Sequence, residues 1–283
     1  MPGTSSKILE FKDVCLQYED TWALHNISFS LKPGETRIIL GAAGSGKTTL
    51  LKAVIGLVEV DKGNIELFGE PVTSREEHDL YALRSRAGIL FQKGGLFDSL
   101  SVGENVEYPL LNQQTSDRRA SDDSSSEADA EKRVREALKF VELEQTFDKF
   151  PSELSGGMRR RVGIARAIVT EPPLILYDSP TAGLDPITAN TIMAVIAKER
   201  DVRNTASLIV THRYQDGELM ANFCYNPEGE ELVPVSEEEQ THPHVNRTKF
   251  MVMRGGEIVF FGTREELESC DDEYVKRFAK RED

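Results

Sequence analysis

The chain has 283 residues, with 34 Lys plus Arg against 48 Asp plus Glu and a formal charge of −14. Such an acidic balance argues against nucleic acid as a direct partner, and 39% hydrophobic residues supply a real core, which excludes disorder throughout. Apolar runs such as Pro173 to Tyr177 and Phe250 to Met253 fall far short of the roughly 20 residues that span a bilayer. Met1 to Lys7 lacks the apolar stretch of about 7 to 15 residues of a secretory signal, so a cytoplasmic location is expected. Cys15, Cys224 and Cys270 lie far apart, without the paired spacing of a metal site or disulfide framework.

In chain order, Ile8 to Tyr18 and Ala23 to Leu31 alternate apolar with polar positions and predict an antiparallel β-layer, with a turn at Pro33-Gly34. Thr36 to Leu40 reads as a buried strand. After a glycine-rich loop, Thr48 to Ile55 has helical character and stops at Gly56. Between Leu110 and Val134 the composition turns to Asn, Gln, Ser and Asp, and Ser121 to Asp129 is nearly all small or acidic, predicting a disordered surface loop over about 111–131. Met158 to Ile168 has helical spacing, and Leu174 to Asp178 and Ala206 to Thr211 read as buried strands. A second insertion is expected over about 226–247, where Glu228, Glu230, Glu231 and Glu237 to Glu239 mix with Pro227, Pro234 and Pro243. Strand-like and helical runs alternate overall, which favours an α/β fold with a parallel sheet.

Gly41-Ala42-Ala43-Gly44-Ser45-Gly46-Lys47-Thr48 matches the phosphate-binding loop pattern, placed between a predicted strand and a predicted helix. Glycines let successive N–H groups curl around an anion, and the helix that follows adds its positive end. Lys47 would reach the β and γ phosphates of a nucleotide, and the Thr48 hydroxyl would ligate Mg²⁺; Thr49 completes the candidate set. Leu154-Ser155-Gly156-Gly157 precedes a helix. Ser155 there is open to two compatible readings, an N-cap and a phosphate contact. Asp178 closes an apolar strand and is a candidate outer ligand of Mg²⁺. His212 ends a similar run.

Taken in order, Tyr18, Gly41 to Thr48, Gln92, Leu154 to Gly157, Tyr177-Asp178, Gly183-Leu184-Asp185 and His212 resemble the ATP-binding cassette ATPase family over nearly the whole chain. The resemblance implies a P-loop NTPase, a RecA-like core with the β-layer over about 1–91 and 167–283, and an inserted helical subdomain over about 92–166. It implies ATP and Mg²⁺ as cofactors, and two chains enclosing two ATP molecules. Tyr18 matches the aromatic that stacks on adenine, with an ordinary strand aromatic as the other reading. Gln92 matches the residue linking γ-phosphate and Mg²⁺ to the helical subdomain. Ser155, Gly156 and Gly157 match the signature that caps the partner's γ-phosphate, His212 matches the switch histidine, and Asp185 lies in the loop joining the chains.

Phe91 to Val102, continuing through Glu104-Asn105-Val106 to Pro109-Leu110, is similar to the Mla/Mce-associated cassettes that energise phospholipid and related lipid transport, as are Ser155 to Met158 with Arg161, Gly183 to Thr188 and Tyr274 to Phe278. An integral-membrane permease is the implied partner, docking beside Gln92, with the chain peripheral on the cytoplasmic face of the membrane. One departure stands out: where the family usually carries Glu after the strand-terminal Asp, this chain has Ser179. A serine hydroxyl is no carboxylate base at neutral pH, so slower hydrolysis or a nucleotide-gated clamp is expected. A second copy or a Glu-bearing paralogue would complete the dimer. Arg213-Tyr214 after His212 is a second departure.

Overall fold

Strands buried on both faces organise the molecule. In the computed structural model, which describes residues 7–73, 75–92, 94–117, 123–235 and 247–279, the β-layer begins with β1 (Leu9–Tyr18) and β2 (Thr21–Leu31). The first core strand β3 (Thr36–Gly41) runs into α1 (Lys47–Val54), followed by β4 (Lys62–Leu67), β5 (Glu70–Pro71), α2 (Glu77–Arg84) and β6 (Ala87–Leu90). Three helices come next: α3 (Val102–Asp117), α4 (Asp123–Phe140) and α5 (Gly156–Ile168). The core resumes with β7 (Leu174–Asp178), α6 (Pro186–Arg203), β8 (Ala206–Val210) and α7 (Tyr214–Asn222). After the pair β9 (Phe223–Asn226) and β10 (Glu231–Pro234), β11 (Thr248–Arg254), β12 (Glu257–Gly262), α8 (Arg264–Glu268) and α9 (Glu273–Lys276) follow.

The core sheet has the order β12-β11-β3-β8-β7-β6, parallel from β11 to β6, with β12 antiparallel at the edge. The β-layer has the order β2-β1-β4-β5 and is antiparallel. Period-two alternation sorts each core strand between two apolar clusters. Ile38, Leu40, Ile175, Tyr177, Ile209, Phe250 and Val252 face the helices α3 to α7, whereas Ile39, Leu176, Leu208, Val210, Met251 and Met253 face α1 and the β-layer. This is the expected α/β phosphate-loop fold with an antiparallel β-layer. Among the described residues, no helix is long and apolar enough to cross a membrane.

One expectation needs correction. The stretch read as a disordered loop over 111–131 is largely helical: α3 continues to Asp117 and α4 starts at Asp123, while 118–122 lie outside the described residues. Ala130, Val134, Ala137, Leu138 and Val141 recur at helical spacing on the buried face, and Glu131 pairs with Arg135 at 2.7 Å one turn away. Small and acidic residues at a helix start are compatible with helix as well as with loop, and the buried stripe downstream decides. The second insertion, 226–247, is in part a hairpin: Glu231 to Pro234 pair with Asn226 to Phe223, and 236–246, with Glu237 to Glu239 and Pro243, lie outside the described residues.

One buried carboxylate makes stability depend on pH. Glu199 on α6 is fully buried, takes a hydrogen bond from Thr205 Oγ1 at 3.1 Å and has Arg203 at 3.4 Å. The Tyr177 hydroxyl, likewise buried, has no hydrogen-bond partner among the described residues. Burial raises the Glu199 carboxyl to about 7 against the pull of Arg203. Because the folded value lies above the unfolded one, the neutral form favours folding. That contribution is complete below about pH 4.5 and is lost as pH rises to about 7, a change on the order of 3 kcal/mol. Glu199→Gln is therefore expected to flatten the fall in stability over that window and to raise the melting midpoint at pH 8 by several degrees; thermal unfolding at pH 5 and pH 8 measures both.

Candidate nucleotide site

Four loops meet at the C-terminal edge of the parallel strands, where open α/β sheets bind ligands. They follow β3, β6, β7 and β8 and bring Gly41 to Thr48, Gln92, Asp178-Ser179 and His212 to one edge. Asp178 lies opposite Val210 in register, the Ser179 N–H donates to Val210 O at 2.8 Å, and the Thr211 N–H donates to Ile39 O at 3.0 Å.

Gly46 caps α1 at φ +100, where a Cβ would stand 2.1 Å from Ala23 O; only glycine fits so close to β2. The helix start leaves N–H groups for an anion. Ala42, Ala43, Gly44 and Thr48 are exposed, and Thr49 sits half-buried on the first turn. Lys47 Nζ donates to Gly41 O at 2.7 Å, Ala42 O at 2.8 Å and Ser45 Oγ at 3.3 Å. Burial holds its ammonium below the usual lysine range, with Asp178 opposing. Thr48 Oγ1 donates to Asp178 Oδ2 at 3.3 Å and Ser179 Oγ to Asp178 Oδ1 at 3.2 Å. Hydroxyl and carboxylate oxygens thus converge as the hard donors that Mg²⁺ prefers, so the residues present fit that ion.

Other expected residues stand further from this cluster. Tyr18 ends β1, pairs with Thr21 and is 51% exposed, so its ring is free to stack. Ser155 caps α5 by accepting the Met158 N–H at 3.2 Å, which realises the capping reading. A Cβ on Gly157 would come within 2.5 Å of Thr188 Cγ2, which ties the signature to the start of α6. There Asp185 is the N-cap, accepting from Ile187 and Thr188 at 3.1 and 3.0 Å. His212 is exposed beyond β8.

Several organising residues escaped sequence reasoning. Arg160 on α5 is buried and donates to Phe91 O at 3.2 Å, to Gln92 O, and to Ala182 O at 3.3 Å, joining the loops after β6 and β7. Arg166 holds Gly94 O and Gly95 O at 3.0 and 2.7 Å. Asp216 on α7, 2% exposed, accepts Thr181 Oγ1 and Thr211 Oγ1, each at 2.6 Å, and so locks the Ser179 loop to the His212 loop. Burial pushes its carboxyl up, and the two hydroxyls and Arg213 oppose that. An arginine in an otherwise buried helical stripe was the available signal for Arg160.

A phosphate loop at a switch between strands, flanked by strand-terminal carboxylate and histidine loops and a helical insertion, defines a nucleotide-binding cassette. A family model described as ABC transporter matches residues 24–182. The chain belongs to the ABC transporter family. It is 36% identical over 211 residues to the methionine import ATP-binding protein MetN of Brucella abortus (strain 2308), covering 75% of this chain and 54% of that protein. The chain thus spans about half the length of these methionine-import relatives. It is 31% identical over 236 residues to the intermembrane phospholipid transport system ATP-binding protein MlaF of Haemophilus influenzae, covering 83% of this chain and 86% of that protein. Among solved structures, the dimeric post-hydrolysis state of the cassette MJ0796 bound to ADP and Pi superposes with a TM-score of 0.71 at 27% identity, over 90% of this chain and 98% of that one. cbiO1 of Clostridium perfringens, part of the transporter complex cbiONQ, gives 0.73 at 28% identity, over 96% and 93%.

Proposed function

We propose that the chain is the ATP-hydrolysing subunit of a transporter that moves phospholipid or a related lipid through a separate membrane permease, acting as a dimer at the cytoplasmic face of the membrane. The observation that carries the reading is the phosphate loop with Lys47 in its curl and the Thr48–Asp178 pair beside it. In this reading the loop N–H groups and Lys47 bind the phosphates, Tyr18 stacks on adenine, and Thr48, Asp178 and Gln92 hold Mg²⁺, which neutralises charge on the phosphates. Ser179, Gln92 and His212 orient the attacking water. Ser155, Gly156 and Gly157 complete the partner's site, and Asp185 lies at the junction of the two copies. Dimer closure then shifts the population of the permease.

A groove of about 370 Å³ between the core and the helices supports a permease contact beside Gln92. Tyr81, Phe91, Phe97 and Tyr108 line it and are 41% to 46% exposed. Exposed aromatics gathered in one groove suit an inserted helix from a partner. Lipid is favoured over methionine because the match to MlaF runs across most of both proteins, whereas the match to MetN stops at 54% of it. Ser179 favours a second reading, a clamp that binds ATP and turns it over slowly or not at all.

Reconstitution with a candidate integral-membrane permease from the same organism tests the proposal. Phosphate release is expected to rise at least severalfold when permease and phospholipid are both present, with no rise on adding methionine. A rise with methionine alone selects amino-acid import, and ATP-dependent dimerisation without phosphate release selects the clamp.

A further inference from the structure

The phosphate loop is braced from a quarter of the molecule that the nucleotide reading leaves unused. The Ala42 N–H, at the second position of the loop, donates to the Tyr274 hydroxyl at 3.2 Å, and that hydroxyl donates to Met253 O at 2.9 Å. Met253 is the register partner of Gly41 across β11 and β3, and a Cβ on Gly41 would lie 2.5 Å from its carbonyl oxygen. On the same side the Gly256 N–H donates to Ser45 O at 3.2 Å. The loop is therefore held on one flank by Asp178 and Lys47 and on the other by the β11–β12 turn and a phenol more than two hundred residues away in sequence.

Tyr274 is itself well fixed. Asp272 Oδ1 caps α9 by accepting the N–H groups of Tyr274 and Val275 at 2.8 and 3.1 Å, and the Val275 side chain is fully buried. The ring lies between the Arg254 guanidinium at 5.2 Å and the Phe278 ring at 5.1 Å. A glycine-rich loop has large conformational freedom to lose on gripping an anion. A hydrogen bond from a rigid donor–acceptor bridge removes part of that freedom before the anion arrives, which is how preorganisation raises affinity.

We infer that Tyr274 is a positioning residue of the phosphate loop, acting through Ala42, so that nucleotide affinity depends on the docking of the segment around α9. The inference rests on the nucleotide-binding reading of the loop. Because Tyr274 acts on the first limb of the loop and not on a terminal phosphate, it affects ATP and ADP alike.

Tyr274→Phe keeps the ring between Arg254 and Phe278 and removes only the bridge. It is expected to weaken MgATP and MgADP by the same factor, about five- to tenfold for one hydrogen bond, and to lower the melting midpoint of the nucleotide-free protein by a few degrees at most, because the carbonyl of buried Met253 loses a donor while the exposed Ala42 N–H can turn to water. In ¹⁵N-alanine-labelled protein the Ala42 amide resonance should move upfield, a signature that general loosening does not give. Asp272→Ala, which uncaps α9 without touching the loop, should weaken both nucleotides in the same direction. Wild-type affinity for both nucleotides in Tyr274→Phe overturns the inference, as does an unmoved Ala42 resonance. A wild-type chain that binds neither nucleotide overturns the nucleotide reading first, and this one with it.

Discussion

Ser179→Glu is expected to raise Mg²⁺-dependent phosphate release by about 10² to 10⁴-fold, the range a positioned general base contributes. The backbone at this position is already prepared for the role. Ser179 sits at φ +51, a conformation non-glycine residues seldom adopt, and its N–H and C=O are both engaged, to Val210 O at 2.8 Å and from the Ala182 N–H at 3.2 Å. The side chain that follows is aimed by this fixed turn. In the native chain it spends its proton on Asp178 Oδ1, while Thr48 Oγ1 approaches Oδ2, so serine orients a neighbouring carboxylate and supplies none of its own. Glutamate adds a proton acceptor in the same place, with its charge opposed by Asp178 and favoured by the Lys47 ammonium. Ser179→Gln is the control: it has the size of glutamate without the base, and its rate should stay at the wild-type level. Phosphate release at saturating ATP decides the matter, and equal rates for all three chains remove position 179 from the chemistry.

The difference between what the sequence announces and what only the fold reveals has a physical origin. The phosphate loop is local: eight consecutive residues carry the glycines, the lysine and the hydroxyl, and the strand before it and the helix after it are legible from hydrophobic runs and the stop at Gly56. Strands β7 and β8 are legible for the same reason, since burial on both faces writes an unbroken apolar run. Arg160 and Asp216 are different. Each is a charged residue that looks like solvated surface, and its meaning lies in acceptors or donors such as Gln92 O and Thr181 Oγ1 that approach only after the chain has closed long loops. The helices α3 and α4 are obscured by composition, because Ser, Asp and Gln suit both loops and helix starts, and only the buried stripe from Ala130 to Val141 distinguishes the two. Ser155 illustrates a third case, in which the capping and the phosphate readings call for the same residue and the geometry of one chain satisfies the first.

Lys47→Ala is expected to lower MgATP affinity at least about 100-fold, the scale of two lost charge-assisted hydrogen bonds, with little loss of folding stability. The argument begins from the resting contacts. Lys47 Nζ now satisfies Gly41 O, Ala42 O and Ser45 Oγ, so the ammonium lies in the concavity of the loop and is anchored where a phosphate oxygen can share it. Truncation leaves two carbonyls, of which Ala42 at least is exposed to water, and it removes a half-buried charge, so the fold has little to lose. Lys47→Arg keeps the charge but brings a planar fork in place of a compact ammonium and should recover only part of the affinity. The pH dependence has a definite sign. Burial lowers the Lys47 pKa from that of an ordinary lysine, so wild-type affinity should fall as pH rises through that lowered value, earlier than for an exposed lysine, while Lys47→Ala should show no such fall. Calorimetric titration of folded protein with MgATP at several pH values measures both effects. Unchanged affinity in Lys47→Ala would place the nucleotide elsewhere, because no binding mode that uses this curl of backbone can dispense with the only ammonium directed into it among the described residues.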